Sequence, residues 1–519
     1  MDFNLEENPV ANEDELFLDY PFIKNNKQIE YMNIPCCFDI EATSFEDEEE
    51  NKVACMYAWT LNINGKHIEG RLWSEFIKLL NKISNHYGLH EKRRIIIYVH
   101  NLAYEFQFFR CRFNWYQIFA LKEREIVKAI TDTGIEFRCS YILFGMSLKE
   151  VGEHLTIYKI NKMIGDLDYS KIRNSKTPLT DAEWKYIYHD GLVCVAGIKE
   201  AMLKDHDNIS NIPLTKTGYV RRRVRNNCLY RGGVKGGQYL KYRKVIKPLV
   251  ITSVNEYMQL KRAYIGAHTH GNPLARGKLL YNVYSADFTS SYPYVMLSEP
   301  NFPMTKGKRV KVNNKEEFEK YINNYCCIFD AVFYNIESSV LFEHIIPASK
   351  CYYKLNAELD NGKLIKADEI HITLNEVDFK TFSKFYKWDK MLIANMRIYM
   401  RGYLPKEIIL SILEFYRLKT ELKGIPEKAS DYMQNKSDLN SIYGACVTDI
   451  CRDMIKYEDD IWSSVECEYE KEIIKYNKSK NRFLFYLWGL YVCSFAKANL
   501  ADGIQELKYD YLYADTWLA

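Results

Sequence analysis

No C-x-x-C pair occurs among the 14 cysteines of this 519-residue chain. They are scattered, and the adjacent pairs Cys36-Cys37 and Cys326-Cys327 are awkwardly spaced for a disulfide or a zinc knuckle. That argues against a disulfide scaffold and fits small buried hydrophobes in a reducing compartment. Charge of one sign is lacking too. Lys and Arg number 71 against 68 Asp and Glu, a net +3, so a nucleic-acid partner must be argued from local clusters. The longest uncharged stretch, residues 483–496, falls short of the roughly 18 apolar residues a membrane helix needs. The acidic start, MDFNLEENPV, has no apolar core of a secretory signal, and no fixed-period repeat is present. A soluble cytoplasmic protein with no membrane partner is expected.

What is present is ordinary globular composition, 47% hydrophobic and 27% charged. At about 150 residues per domain the length suggests about three domains. Aromatic content is high, with 41 Tyr, so some rings are expected to line a groove or stack on a ligand. From 34 to about 205, short apolar runs (35–40, 53–61, 94–99) alternate with amphipathic stretches such as 73–89, the pattern of an α/β domain. Residues 46–50 read as a solvated acidic hairpin loop. Residues 216–247 hold eleven Lys or Arg and no Asp or Glu, with Tyr219, Tyr230, Tyr239 and Tyr242 between them. Cations on phosphates and rings under bases suit a nucleic-acid strand, and Arg221, Arg222, Arg223 and Arg225 are the densest part. The alternative is a solvated basic surface. From 282 onward, β-rich segments (281–287, 325–334, 509–515) bracket helical ones (405–422, 431–443, 490–507), which predicts a second α/β or α+β domain.

Three carboxylate motifs lie in the first half. Asp39 and Glu41 stand two apart in a β-like run, so both carboxylates share one strand face. Asn101 and Glu105 lie one helical turn apart just after the apolar run 94–99. Tyr186 and Asp190, at i and i+4, share one side of a helix whose apolar sequence would bury them. A buried carboxylate is costly without a cation or another partner.

This order, D-x-E, N-x-x-x-acid, Y-x-x-x-D, resembles the three exonuclease motifs of proofreading DNA polymerases, whose domain is a ribonuclease-H-like α/β fold. The resemblance implies that Asp39, Glu41, Glu105 and Asp190 hold two Mg²⁺ or Mn²⁺ ions about 3.5–4 Å apart. It also implies that Tyr186 orients the attacking water and that Asn101 contacts the substrate strand. The family usually has Asp where Glu105 stands. It also often carries a catalytic Lys just before a Gly-Asp, where this chain has Ile164 before Gly165-Asp166 and Lys162 two residues earlier.

The second half extends the resemblance to family B DNA polymerases. ADFTSSYPYVM, with Asp287, Ser290, Ser291, Tyr292 and Pro293, resembles motif A. It implies a metal-binding Asp287 at a strand end, a triphosphate near Ser291, and Tyr292 as the ring that excludes a ribose 2′-OH. KSDLNSIYGACV resembles motif B, with Lys436, Asn440 and Tyr443 on one helix face for the incoming nucleotide. FYRLKTELK resembles its companion helix, with Lys419 as a second triphosphate ligand and Arg417 or Lys423 as helpers. Tyr264-x-Gly266-Ala267 resembles the template-holding Y-x-G-G/A motif of the protein-primed subgroup, a pattern that Tyr230-x-Gly232-Gly233 also fits. YLYADTWLA resembles motif C in Tyr513, Asp515 and Thr516, with Trp517 in place of a second Asp.

The chain is thus identified as resembling a protein-primed family B DNA polymerase of phage, linear-plasmid or organellar-viral type. The fold class implied is α/β plus α+β, an exonuclease domain followed by palm and fingers with the thumb missing. The implied organisation is an extension over 1–33, exonuclease over 34–205, and a basic template-binding linker over 206–280. Palm and fingers would fill 281–519, with an insertion at about 300–400. Two metal ions per active site, primer-template and single-stranded DNA, dNTPs and a terminal-protein primer follow as ligands of a monomer in a bacterial cytoplasm. The resemblance also implies that a chain broken in motif C is nearly inactive in primer extension. Two alternatives remain at this point: a 3′–5′ exonuclease with a degenerate polymerase half, and a non-catalytic DNA-binding remnant. Primer degradation without dNTPs, and templated incorporation, separate them.

Overall fold

Val, Ile, Cys and aromatic side chains crowd the segments 36–46, 93–99 and 135–139, a composition that favours strands buried on both faces. In the computed structural model, which describes residues 13–47, 49–160, 167–231, 237–425, 428–459 and 461–515, they run parallel at the centre of one sheet. Lys52–Ile63 and Lys66–Gly70 extend one edge antiparallel, and Ile126–Thr131 and Trp115–Ala120 the other. Helices cover both faces. Trp73–Tyr87 lays Phe76, Leu79, Leu80 and Ile83 on one, where Phe38 stacks on Phe76 at 4.1 Å. Asp181–Lys204 covers the other, packing Val193, Cys194 and Ile198 with Cys37, Ile96 and Tyr98.

This sheet belongs to a first unit of residues 1–219 and 453–466. Two of its parts depart from expectation. The polar stretch before Ile34 is not merely an extension: Glu30–Met32 pairs parallel with Arg93–Val99, and Leu16, Tyr20 and Met32 are buried. The second departure is a hairpin of Met454–Glu458 and Ile461–Val465, far along the chain, which packs Tyr457 and Trp462 on Phe106. It lies inside the range expected for palm and fingers, yet it clusters with the first unit.

The second unit comprises 220–452 and 467 onward. Within it, Lys308–Arg309, Lys390–Tyr399, Cys326–Ser338, Lys363–Asn375 and Cys351–Leu355 form an antiparallel sheet in that spatial order. The helices Lys406–Leu422, Ala429–Cys446 and Tyr486–Leu507 appear where the sequence places 405–422, 431–443 and 490–507. Ser291–Ser298 packs with them. The uncharged run 483–496 is largely the buried first half of Tyr486–Leu507, and among the described residues no helix is long and apolar enough to cross a membrane.

Residues 281–287, expected as a strand, pair with none: Tyr281 is 78% and Tyr284 93% exposed. Composition favours extended backbone there, but a strand needs a ladder partner. Over 509–515 only Tyr513–Asp515 is strand, and it pairs with Thr269–Gly271.

Part of the tyrosine surplus goes into the core, and a similar share is exposed. Several buried rings direct their hydroxyls to buried acceptors: Tyr491 to Glu376, Tyr399 to Glu256, Tyr511 to Glu343 and Tyr242 to the Phe483 carbonyl. Such satisfied hydroxyls let large amphipathic rings fill an interior without orphaned polar atoms.

Candidate active sites

In the first unit, the parallel strand Cys36–Glu46 carries Asp39 opposite Thr60 and Glu41 opposite Ala58, so the pair shares a face as its spacing requires. Glu41 is buried and Asp39 half-buried. At the carboxyl end of Arg93–Val99 the chain turns through Asn101, whose φ of 81° is left-handed. Asn tolerates that region better than most residues. The turn starts the helix Leu102–Phe109, which buries Glu105 with its Oε2 lacking any partner. Burial raises the Glu105 pKa well above the ordinary carboxylate range, with Asp39 and then Glu41 adding to it. Tyr186 is pushed up by burial, with Asp190, Glu41 and Asp39 contributing, while its hydroxyl meets that of Tyr169 at 3.1 Å.

Each carboxylate motif therefore feels another's charge, although the three come from a strand, a strand–helix turn and a long helix. Among the described residues no three His, Cys, Asp or Glu already surround a single point as metal ligands. The buried, partnerless Glu105 oxygen and the mutual repulsion with Asp39 and Glu41 nonetheless fit a cationic guest. Tyr169 was not legible as part of this site: it is 65% exposed and has no motif around it. Lys162, Ile164, Gly165 and Asp166 lie outside the described residues.

In the second unit, Ser290 takes a left-handed turn (φ 54°) at the start of Ser291–Ser298. Its hydroxyl accepts from Lys419 Nζ at 2.8 Å. Lys419 is buried, and burial lowers its pKa first, followed by Lys436 and Lys423, with Asp287 opposing them. Three cations and the motif A carboxylate thus sit close together. Tyr292 lies over Tyr443 with ring centroids 4.4 Å apart. Tyr443 meets the Tyr264 hydroxyl at 2.7 Å and Cys493 Sγ at 3.2 Å. Burial raises both phenols, Tyr264 to about 12 and Tyr443 further. Asn440 lies on the same helix as Lys436 and Tyr443, and a side chain at Gly266 would meet open space. Cys493 was missed, because a cysteine in an apolar run gives no signal of its neighbours.

Asp287 is exposed on the unpaired 281–287 segment, not at a strand end as expected. Asp515 takes bonds from Thr269 at 2.9 Å and Tyr513 at 3.3 Å. Thr516, Trp517, Gly232 and Gly233 lie outside the described residues. The basic block is less uniform than its sequence. Arg223 pairs with Glu414 at 2.7 Å and lies over Phe415, Arg221 donates to Thr448, and Arg222 shares their helix Lys216–Leu229. Tyr242 is wholly buried, so it offers no stacking surface.

One unit thus brings the carboxylates of three motifs within electrostatic reach of one another, and the other brings lysines and tyrosines of separate motifs together near Asp287. The chain belongs to the family described as DNA polymerase type B, organellar and viral, whose profile matches residues 235–499. Its fold is similar to that of Phi29 DNA polymerase bound to primer-template DNA, with a TM-score of 0.67 and 15% identity over 93% of this chain and 79% of that one. The complex of the same enzyme with primer-template DNA and incoming nucleotide gives 0.65, again at 15% identity, covering 93% and 78%. The complex with single-stranded DNA gives 0.65 and 15% over 93% and 79%. No curated protein sequence matches the chain.

Proposed function

We propose that the chain is a protein-primed, template-directed DNA polymerase with 3′–5′ proofreading, replicating phage or plasmid DNA as a monomer in a host cytoplasm. The observation that carries this reading is the meeting of motif A and motif B residues, Lys419 on Ser290 and Tyr292 on Tyr443. In the second unit Asp287 and Asp515 would hold two Mg²⁺ or Mn²⁺ ions, which lower the charge barrier to phosphoryl transfer. Lys419 and Lys436 bind the triphosphate of a dNTP. Tyr443 stacks under its base, and Tyr292 presses on its sugar. The 3′-OH of a primer, or the hydroxyl of a terminal protein, loses its proton and attacks the α-phosphate, and the α–β bond breaks to release diphosphate. Tyr264 and Gly266 line the path of the template, with Arg222 of the basic helix toward its phosphates. In the first unit Asp39, Glu41, Glu105 and Asp190 would hold the corresponding pair of ions, Asn101 touches the strand, and Tyr186 orients water.

Removing the Tyr292 ring should admit a 2′-OH. Tyr292→Val is expected to raise incorporation of ribonucleotides relative to deoxynucleotides by about tenfold or more. Single-nucleotide extension with matched dNTP and rNTP measures it, and unaltered sugar selectivity would refute the assigned role. The proofreading arm has its own test. Asp39→Ala with Glu41→Ala removes two carboxylates and is expected to abolish primer digestion in the absence of dNTPs while single-strand binding persists. Digestion at the parental rate by the double variant would exclude this exonuclease site.

A second reading draws on one observation: the Asp287 segment lies outside every sheet and is exposed. A 3′–5′ exonuclease with an inactive polymerase half would look the same. Templated dNTP incorporation decides between the two.

A further inference from the structure

Beside Ala445 and Cys446, the last residues of the motif B helix, lies a cavity of about 230 Å³ within the second unit. Arg221, Arg225 and Arg482 line it, and no Asp or Glu does so among the described residues. Only Arg221 and Arg225 come from the basic block; Arg482 follows the helix Tyr469–Lys478, more than 250 residues away in sequence. Arg482 is 5% exposed, and its two Nη atoms donate to the carbonyls of Leu249 at 2.5 Å and Ile246 at 2.8 Å. These bonds and the Tyr476 ring, 5.1 Å from its centre, hold the guanidinium in place, while Arg225 Nε is buried without a hydrogen-bond partner. Arg221 donates to Thr448 at 3.2 Å. Its pKa is lowered, first by burial; Tyr476 and Cys446 oppose the shift, and Arg225 and Arg452 add to it.

Like charges gathered without a carboxylate repel one another, and buried N–H donors are normally satisfied. Both facts call for an anion. Guanidinium groups bind phosphate oxygens through paired N–H bonds, and Thr448 and Asn481 add a hydroxyl and an amide to the wall. The space far exceeds the roughly 10–15 Å³ one water needs and falls below the roughly 300 Å³ at which drug-sized pockets begin. That leaves room for one or two phosphate groups.

We propose that this cavity is a phosphate-binding site, distinct from the nucleotide cluster around Lys419, in which Arg221, Arg225 and Arg482 grip a small phosphate anion. Two sources share that chemistry: free diphosphate, which nucleotidyl transfer releases, and the terminal phosphate of a DNA strand. The site rests on the geometry of the second unit alone and stands whether or not the polymerase reading does.

Calorimetric titration of the full chain with inorganic diphosphate, in chelator to suppress metal-dependent binding elsewhere, tests it. Saturable binding is expected, weakened about tenfold or more by Arg225→Gln through loss of a charge-assisted contact. Lys315→Ala, which removes an exposed cation outside the cavity, is expected to change it by less than about twofold. Should Arg225→Gln fail to fold, Arg221→Gln carries the same expectation. Competition by 5′-phosphorylated but not 5′-hydroxyl oligothymidylate assigns the site to strand ends; no competition assigns it to free diphosphate. No saturable binding by the parental chain overturns the proposal, and so does parental affinity in a folded Arg225→Gln or Arg221→Gln variant.

Discussion

Lys419→Ala is expected to reduce templated incorporation by about 10²–10³-fold, the usual cost of removing one donor aimed at developing charge. The lysine is buried on Lys406–Leu422, yet it serves motif A, because its Nζ holds the Ser290 hydroxyl. Its depressed pKa comes first from burial and then from Lys436 and Lys423, so this ammonium is crowded by cations with only Asp287 opposing them. A triphosphate would relieve that crowding. The substitution should therefore raise the KM for dNTP as well as lower kcat, and it should release the left-handed turn at Ser290. Lys419→Arg is expected to restore little, since a planar fork does not replace a compact ammonium in a buried position. Primer digestion, seated in the other unit, should stay at the parental rate. Single-turnover extension across a dNTP series checks all of this, and parental kinetics in Lys419→Ala would remove Lys419 from the nucleotide site.

The legible parts of these sites are the ones whose geometry is local. Asp39 with Glu41, and Tyr186 with Asp190, are placed by the periods of a strand and a helix, so spacing alone predicts a shared face. The pairs that complete the second site lie far apart in sequence: Lys419 and Ser290 by 129 residues, Tyr264 and Tyr443 by 179. Each partner was recognisable only within its own motif. Where sequence misled, a distant partner decided the outcome. Residues 281–287 have strand composition but pair with no strand, while Tyr513–Asp515 pairs with Thr269–Gly271. Arg223 belongs to a run of bare cations, yet Glu414, 191 residues on, neutralises it. The return of 453–466 to the first unit has no local signal, because Tyr457 and Trp462 become meaningful only against Phe106.

The Glu105 carboxyl offers a test in which catalysis and stability move in opposite directions. In the fold it is buried, one oxygen has no partner, and Asp39 and Glu41 add repulsion, so its pKa stands well above the ordinary 4.5. Below that ordinary value the carboxyl is protonated in both folded and unfolded chains, and it imposes no penalty. As pH rises from about 4.5 toward the raised value, the unfolded chain releases its proton while the fold retains it. Stability therefore falls through that window, and the full penalty is present above it. Glu105→Gln keeps the shape and removes the titration. It is expected to melt a few degrees higher than the parent at neutral pH in chelator, with the gap closing as pH falls toward the ordinary carboxylate range. Adding Mg²⁺ should stabilise the parent more than the variant, because the variant lacks the charge that draws the cation. Digestion of primer should show the reverse order. With one metal-binding charge gone and the remaining ligands displaced, the variant is expected to lose roughly 10²-fold in rate. In the parent, digestion should rise with pH as Glu105 ionises. Melting curves in chelator and in Mg²⁺, paired with digestion rates over the same pH series, measure both sides. Coincident melting curves at every pH, or a Gln variant that digests at the parental rate, would show that the buried carboxyl is not the strained metal ligand its surroundings describe.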